Sequence, residues 1–152
     1  MDGKALAARV REDVAREVAE LGTLGLATVL VGDDPASDVY VGLKHKDATQ
    51  VGMRPFDHRL PADTSEEAVL ELVERLNADD EVDGLLVQTP LPSHLDEQRI
   101  LAAVRPEKDV DGLTPTARRP PPSLGWRRDD VGRTSVKRAL ITGVTGQDGL
   151  YL

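Results

Sequence analysis

LATVLVGDDPASDVYVGLKHKDATQVG, residues 26–52, holds a strand, a turn and a helix in one stretch. LATVLV is nearly all apolar and rich in β-branched residues, which reads as a strand buried on both faces. DDPAS supplies turn formers in Asp33, Asp34 and Pro35, with Ser37 predicted to cap a helix from Asp38 to about Gln50. Gly52 then ends that helix.

The surrounding sequence repeats the alternation. Leu6, Val10, Val14, Val18 and Leu21 recur every three or four residues, the stripe of an amphipathic helix, with Gly22 and Gly25 read as its stop. MRPFDHRL, residues 53–60, reads as a second strand, placed at the sheet's margin by Pro55. Thr64 and Glu67 have capping-box spacing ahead of a third helix carrying Ala68, Leu72 and Leu76. VDGLLVQ, residues 82–88, is a third strand; TPLPSH interrupts, and residues 95–104 form a fourth helix closed by Pro106. Alternating helices and strands predict an α/β fold, a helix-covered, mostly parallel open sheet. Ligands of such sheets sit beyond the carboxyl ends of the strands. DDPASDVYVGLK, QTPLP and KDVDG all follow such ends or the last helix.

Composition narrows the classes. The 152 residues suffice for one domain with an appendage, and no apolar run is long enough to span a bilayer. The N-terminus lacks a basic-then-apolar leader pattern, so no membrane partner is expected. The absence of cysteine excludes disulfides and thiolate metal sites and fits a reducing cytoplasm. The net charge of −8 is uneven: residues 1–115 carry 24 acidic and 12 basic side chains, residues 116–152 carry 3 and 7. An acidic body repels phosphates, so nucleic acid is not the expected partner. From residue 116 the chain turns Pro- and Arg-rich without apolar period and reads as an irregular connector. Its single tryptophan, Trp126, is too little for a base-stacking platform.

Several residues carry possible chemistry. Tyr40 and Lys44, four apart, share one helix face. A phenol beside an amine at a cleft mouth can bind a flat ring and move a proton, although the same spacing is common on solvated helices. A lysine becomes a useful base only when burial or a nearby cation favours its neutral form. Gln88 ends a strand, where its amide can fix an ammonium or simply mark the strand's end. Asp111, in the turn-rich PEKDVDG, can take paired N–H bonds from a heterocycle or serve only the turn. His45, His58 and His94 lack metal-ligand spacing, so no metal site is expected and none receives a role.

DPASDVYVGLKHKDATQVGM, DGLLVQTPLP and RPEKDVDGLTP, in this order, together with the opening DGKALAARVREDV, closely resemble the bifunctional methylenetetrahydrofolate dehydrogenase/methenyltetrahydrofolate cyclohydrolases. The resemblance covers residues 2–115, taken as a catalytic domain over 1–115. It implies that Lys44 is the catalytic acid/base, that Gln88 supports it, that Tyr40 stacks on the substrate and that Asp111 holds the pterin ring. Ser37, Val87 and Thr89 are implied as further substrate contacts. The implied substrates are tetrahydrofolate derivatives, with interconversion of 5,10-methenyl- and 10-formyltetrahydrofolate. The family's other reaction, NADP-dependent dehydrogenation, needs a second dinucleotide domain; the resemblance stops after DVDGLTP, so that step is expected to be lost. The family is typically homodimeric.

The chain closes differently. After a linker at 116–138, KRALITGVTGQDGLYL resembles the first strand and turn of GDP-mannose 4,6-dehydratase, with Gly143, Gly146 and Gly149 as a truncated phosphate loop within 139–152. Only three residues follow, too few for the helix whose N-terminus would hold a pyrophosphate. Tyr-x-x-x-Lys is also the pair of short-chain dehydrogenases, but there the glycine loop comes first, whereas here it comes about a hundred positions later. These features predict a junction of two reading frames. An inactive chimeric remnant and a nucleotide-sugar or NADP-binding fragment stand as the alternative readings.

Overall fold

A computed structural model of the chain describes residues 3–113, with the side chains of residues 3–6 left aside; the predicted linker and the glycine loop lie outside the described residues. The elements run α1 (Gly3–Leu21), β1 (Gly25–Val31), α2 (Pro35–Gln50), β2 (Arg54–Leu60), α3 (Glu66–Ala78), β3 (Gly84–Val87) and α4 (Glu97–Ala103). The three strands are parallel in the order β2-β1-β3, which bears out the predicted α/β class and puts the proline-bearing β2 at a margin.

This order dictates where the helices lie. The chain leaves β1 for β2 in one direction and returns across β1 to β3 in the other. Crossovers of one hand running in opposite directions must cover opposite faces. The side chains of β1, all buried, divide accordingly. Ala27, Val29 and Val31 join Val69, Val73, Leu76 and Ile100 of α3 and α4. Leu26 on the other face joins Val18 of α1, Ala48 of α2, Leu86 and Val110.

Several predicted boundaries move, and those of the helices do so for local reasons. Asp34, not Ser37, caps α2: its carboxylate accepts the Ser37 N–H at 2.8 Å, and Pro35 occupies the first turn, where it has no N–H to waste. The Ser37 backbone bond, followed by its hydroxyl, holds the Asp34 carboxyl below the usual value. Ser65 rather than Thr64 caps α3 and accepts from Ala68, because the Thr64 hydroxyl donates to Pro61 O at 2.7 Å. α4 is shorter than predicted: Asp96 caps it by accepting from Arg99, and Leu95 belongs to a preceding turn.

Gly25 opens β1 instead of stopping α1; Gly22, at φ +91°, makes that stop. A Cβ on Gly25 would lie 1.8 Å from Glu81 O and 2.9 Å from the Phe56 ring, so only glycine fits this approach. No described helix is long and apolar enough to cross a membrane.

Candidate functional site

β1 is followed by a helix on one face, β3 by a helix on the other. In an open parallel sheet a crevice forms at such a pair of adjacent strands, beyond their carboxyl ends. α2 enters it from β1 and Gln88 from β3.

Ser37, Val41, Lys44 and Ala48 follow one another at spacings of four, three and four, a single stripe on α2. Ser37, Val41 and Ala48 are buried against the sheet. Lys44 takes the remaining place in that stripe, with its side chain only 18 % exposed. A lysine held on the inner face of a helix reaches the crevice instead of bulk water.

There it meets two groups remote in sequence. Lys44 Nζ donates to Gln88 Oε1 at 3.4 Å and lies 3.9 Å from Asp111 Oδ2. Both contacts are long. The Gln88 backbone N–H donates to Val29 O at 2.8 Å, and its Nε2 donates to Thr89 O at 2.8 Å. With the amide nitrogen spent on a carbonyl, Oε1 is the atom left to face the ammonium.

Asp111 is delivered by a pinned loop. Leu85 N donates to Lys108 O at 2.6 Å, Asp109 bridges to Leu85 in parallel, and Asp109 Oδ1 accepts from Gly112 N at 2.9 Å. Gly112 sits at φ +66°, a turn position suited to glycine. Lys108 Nζ donates to Leu76 O at 3.0 Å and Asp79 O at 2.6 Å, carbonyls at the end of α3. Burial pushes the Lys108 amine below its usual value, against the pull of Asp79.

Lys44, Gln88 and Asp111 are therefore brought together. Tyr40 stands one turn earlier on α2 and is 44 % exposed. Ser37 is buried in the first turn of α2, and Thr89 follows Gln88 with its carbonyl engaged. The Val87 side chain turns away into the core beneath α3 and α4. Gly143, Gly146 and Gly149 lie outside the described residues.

Two features escape the sequence reading. One is the Lys108 clamp, for which the sequence offers no sign beyond a lysine in a turn. The other is a bond between His45 Nε2 and Thr28 Oγ1 at 2.6 Å. Its sign was a lone hydroxyl in an apolar strand. His94 Nε2 bonds Thr64 O, while buried His58 Nε2 has no hydrogen-bond partner.

Comparison with known proteins adds the lineage. Residues 1–111 match the family described as tetrahydrofolate dehydrogenase/cyclohydrolase, catalytic domain. The Bifunctional protein FolD of Jannaschia sp. (strain CCS1) is 55% identical over 121 residues, 76% of this chain and 39% of its own length. That of Caulobacter sp. (strain K31) is 47% identical over 161 residues, 94% of this chain and 54% of its own, a share that residues 1–115 alone cannot supply. The crystal structure of bifunctional FolD from Campylobacter jejuni superposes with a TM-score of 0.74 at 38% identity, covering 76% of this chain and 43% of that one. The Trypanosoma brucei enzyme, solved with NADP cofactor and inhibitor, gives 0.73 at 38%, covering 76% and 41%. The chain thus spans about two-fifths to one-half of the length of these relatives. With the family matched over most of its length, the chain belongs to the tetrahydrofolate dehydrogenase/cyclohydrolase family.

Proposed function

We propose that residues 1–115 form a folate-binding catalytic unit in one-carbon metabolism and that it interconverts 5,10-methenyltetrahydrofolate and 10-formyltetrahydrofolate. The observation that carries this reading is the convergence of Lys44, Gln88 and Asp111 on the crevice between β1 and β3.

The methenyl bridge is an amidinium carbon and already electrophilic, so the site has protons to move and no strong nucleophile to build. Water adds to the bridging carbon, forming the C–O bond, while the neutral Lys44 amine takes the water's proton. The resulting ammonium then protonates N5. The C–N5 bond breaks, the formyl group stays on N10, and one proton is released overall. Gln88 Oε1 fixes the amine without adding a second negative charge beside a cationic substrate. Asp111 accepts N–H bonds from the pterin edge, and Tyr40 offers its ring face to the aromatic part of the folate. Ser37, Thr89 and the Val87 backbone line the same approach.

The dehydrogenase reaction in the relatives' names requires a cradle for a dinucleotide. Residues 3–113 contain no glycine-rich phosphate loop, so no step of this proposal runs through NADP. The test is to follow the absorbance of 5,10-methenyltetrahydrofolate with purified chain and to identify the product. Conversion to the 10-formyl compound well above the uncatalysed rate, lost in Lys44→Ala, supports the reading; a wild-type rate equal to that of Lys44→Ala overturns it.

A further inference from the structure

Thr28 is the only polar side chain in β1 and is fully buried. A buried hydroxyl is costly without a hydrogen bond. Its close partner is His45 Nε2 at 2.6 Å, with Phe56 O farther off at 3.5 Å. His45 directly follows Lys44. Val29 directly follows Thr28, and its carbonyl accepts the Gln88 backbone N–H at 2.8 Å. The helix bearing the lysine and the strand end bearing the glutamine are thus fastened to two consecutive residues of the central strand.

The Asp38–Arg59 pair also ties α2 to the sheet, but it is solvent-exposed and reaches the marginal strand β2, not β1. Val41 and Ala48 pack by shape and tolerate small rotations, whereas a short hydrogen bond is directional. Successive helix residues are fixed about 100° apart. A rotation of α2 that stretches the His45 bond therefore swings Lys44 through the same angle, away from Gln88.

We propose that Thr28 and His45 are a positioning pair that sets Lys44 opposite Gln88. The proposal deepens the cyclohydrolase reading and rests on it for its catalytic meaning. Neither residue touches the reacting atoms. The imidazole is half-buried, and burial holds its basicity below the ordinary value, with Asp57 of β2 opposing and Arg59 of β2 adding to the effect. Arg59 is in turn occupied by Asp57 and by Asp38 of α2.

The experiment uses the whole chain with Thr28→Val, His45→Leu, the double variant, and the conservative Thr28→Ser and His45→Gln. Two readouts are taken: the Lys44 13Cε resonance, assigned by its disappearance in Lys44→Ala, and kcat and KM on 5,10-methenyltetrahydrofolate. Each disruptive variant should move the Lys44 resonance and lower kcat about tenfold or more with little change in KM, since misplacement of an ångström costs up to about 100-fold. The double variant should be no worse than either single one, and Thr28→Ser and His45→Gln should restore both readouts. Folded disruptive variants with an unmoved Lys44 resonance and wild-type kcat overturn the pair's role. Should Thr28→Val fail to fold, His45→Leu carries the same comparison. If wild type is no faster than Lys44→Ala, the cyclohydrolase reading falls, and the resonance alone decides whether the pair places the lysine.

Discussion

Lys44 donates to Gln88 at 3.4 Å across 44 positions of sequence, because the helix after β1 and the end of β3 converge on one crevice. The glutamine's amide nitrogen is tied to Thr89 O, so its oxygen has one available orientation towards the amine. Gln88→Ala removes that guide and leaves Asp111 as the ammonium's remaining named partner. It should lower kcat by about 10- to 100-fold with KM within a few-fold, the pattern of lost positioning of a proton-transfer group. Steady-state kinetics beside a circular dichroism spectrum check this.

Lys108 spans the end of α3 and the loop that carries Asp111. Lys108→Met keeps the length of the stem and deletes both donated hydrogen bonds, the partly buried one to Leu76 O and the exposed one to Asp79 O. We expect a loss of about 1–3 kcal/mol in urea unfolding, the usual cost of unpairing partly buried polar groups. Weaker folate binding should accompany it, because the loop that presents Asp111 is freed. Unchanged stability and affinity would remove Lys108 from the account.

The Asp34 cap makes one end of α2 sensitive to acid. Its carboxyl is held below the ordinary value of 3.8 by the Ser37 N–H first and the Ser37 hydroxyl next. A depressed folded-state value means that the unfolded chain binds the proton more readily, so the contribution is complete above 3.8 and is lost as pH falls through the folded value. Wild type should therefore unfold at higher urea than Asp34→Ala at neutral pH, and the two midpoints should converge as pH drops below 3.8.

Gly25 begins the central strand where the Glu81 backbone and Phe56 leave no room for a side chain. Its N–H donates to Asp83 Oδ2 at 3.0 Å and its carbonyl accepts from Asp83 N at 2.9 Å, so the backbone cannot retreat. Gly25→Ala should cost about 1–3 kcal/mol or more through overpacking. A thermal melt indistinguishable from wild type would contradict this.

Much of the fold was legible because its signals are local and redundant. LATVLV carries enough apolar and β-branched residues to be a buried strand whatever lies around it, and Pro55 marks β2 as marginal without knowledge of its neighbours. Boundaries were less legible where adjacent residues compete for one task. Asp34 and Ser37 can both cap a helix, as can Thr64 and Ser65, and the choice depends on which oxygen finds another partner. The candidate site divides the same way. Lys44, Gln88 and Asp111 were visible as residue types in a familiar order, whereas Thr28–His45 and Lys108 act through contacts across 17 to 32 positions that no local spacing encodes. Val87, implied as a substrate contact by the resemblance, has its side chain turned into the core by strand alternation, which leaves its backbone as the part that can face the crevice.

The most direct test of the lysine's chemistry separates holding folate from transforming it. Lys44→Met should be measured against wild type for both the dissociation constant of a non-reactive folate analogue and the turnover of 5,10-methenyltetrahydrofolate. The account predicts an affinity within about threefold and a kcat at least about 100-fold lower, the usual contribution of a positioned acid/base. Retention of kcat in a folded Lys44→Met protein would contradict it.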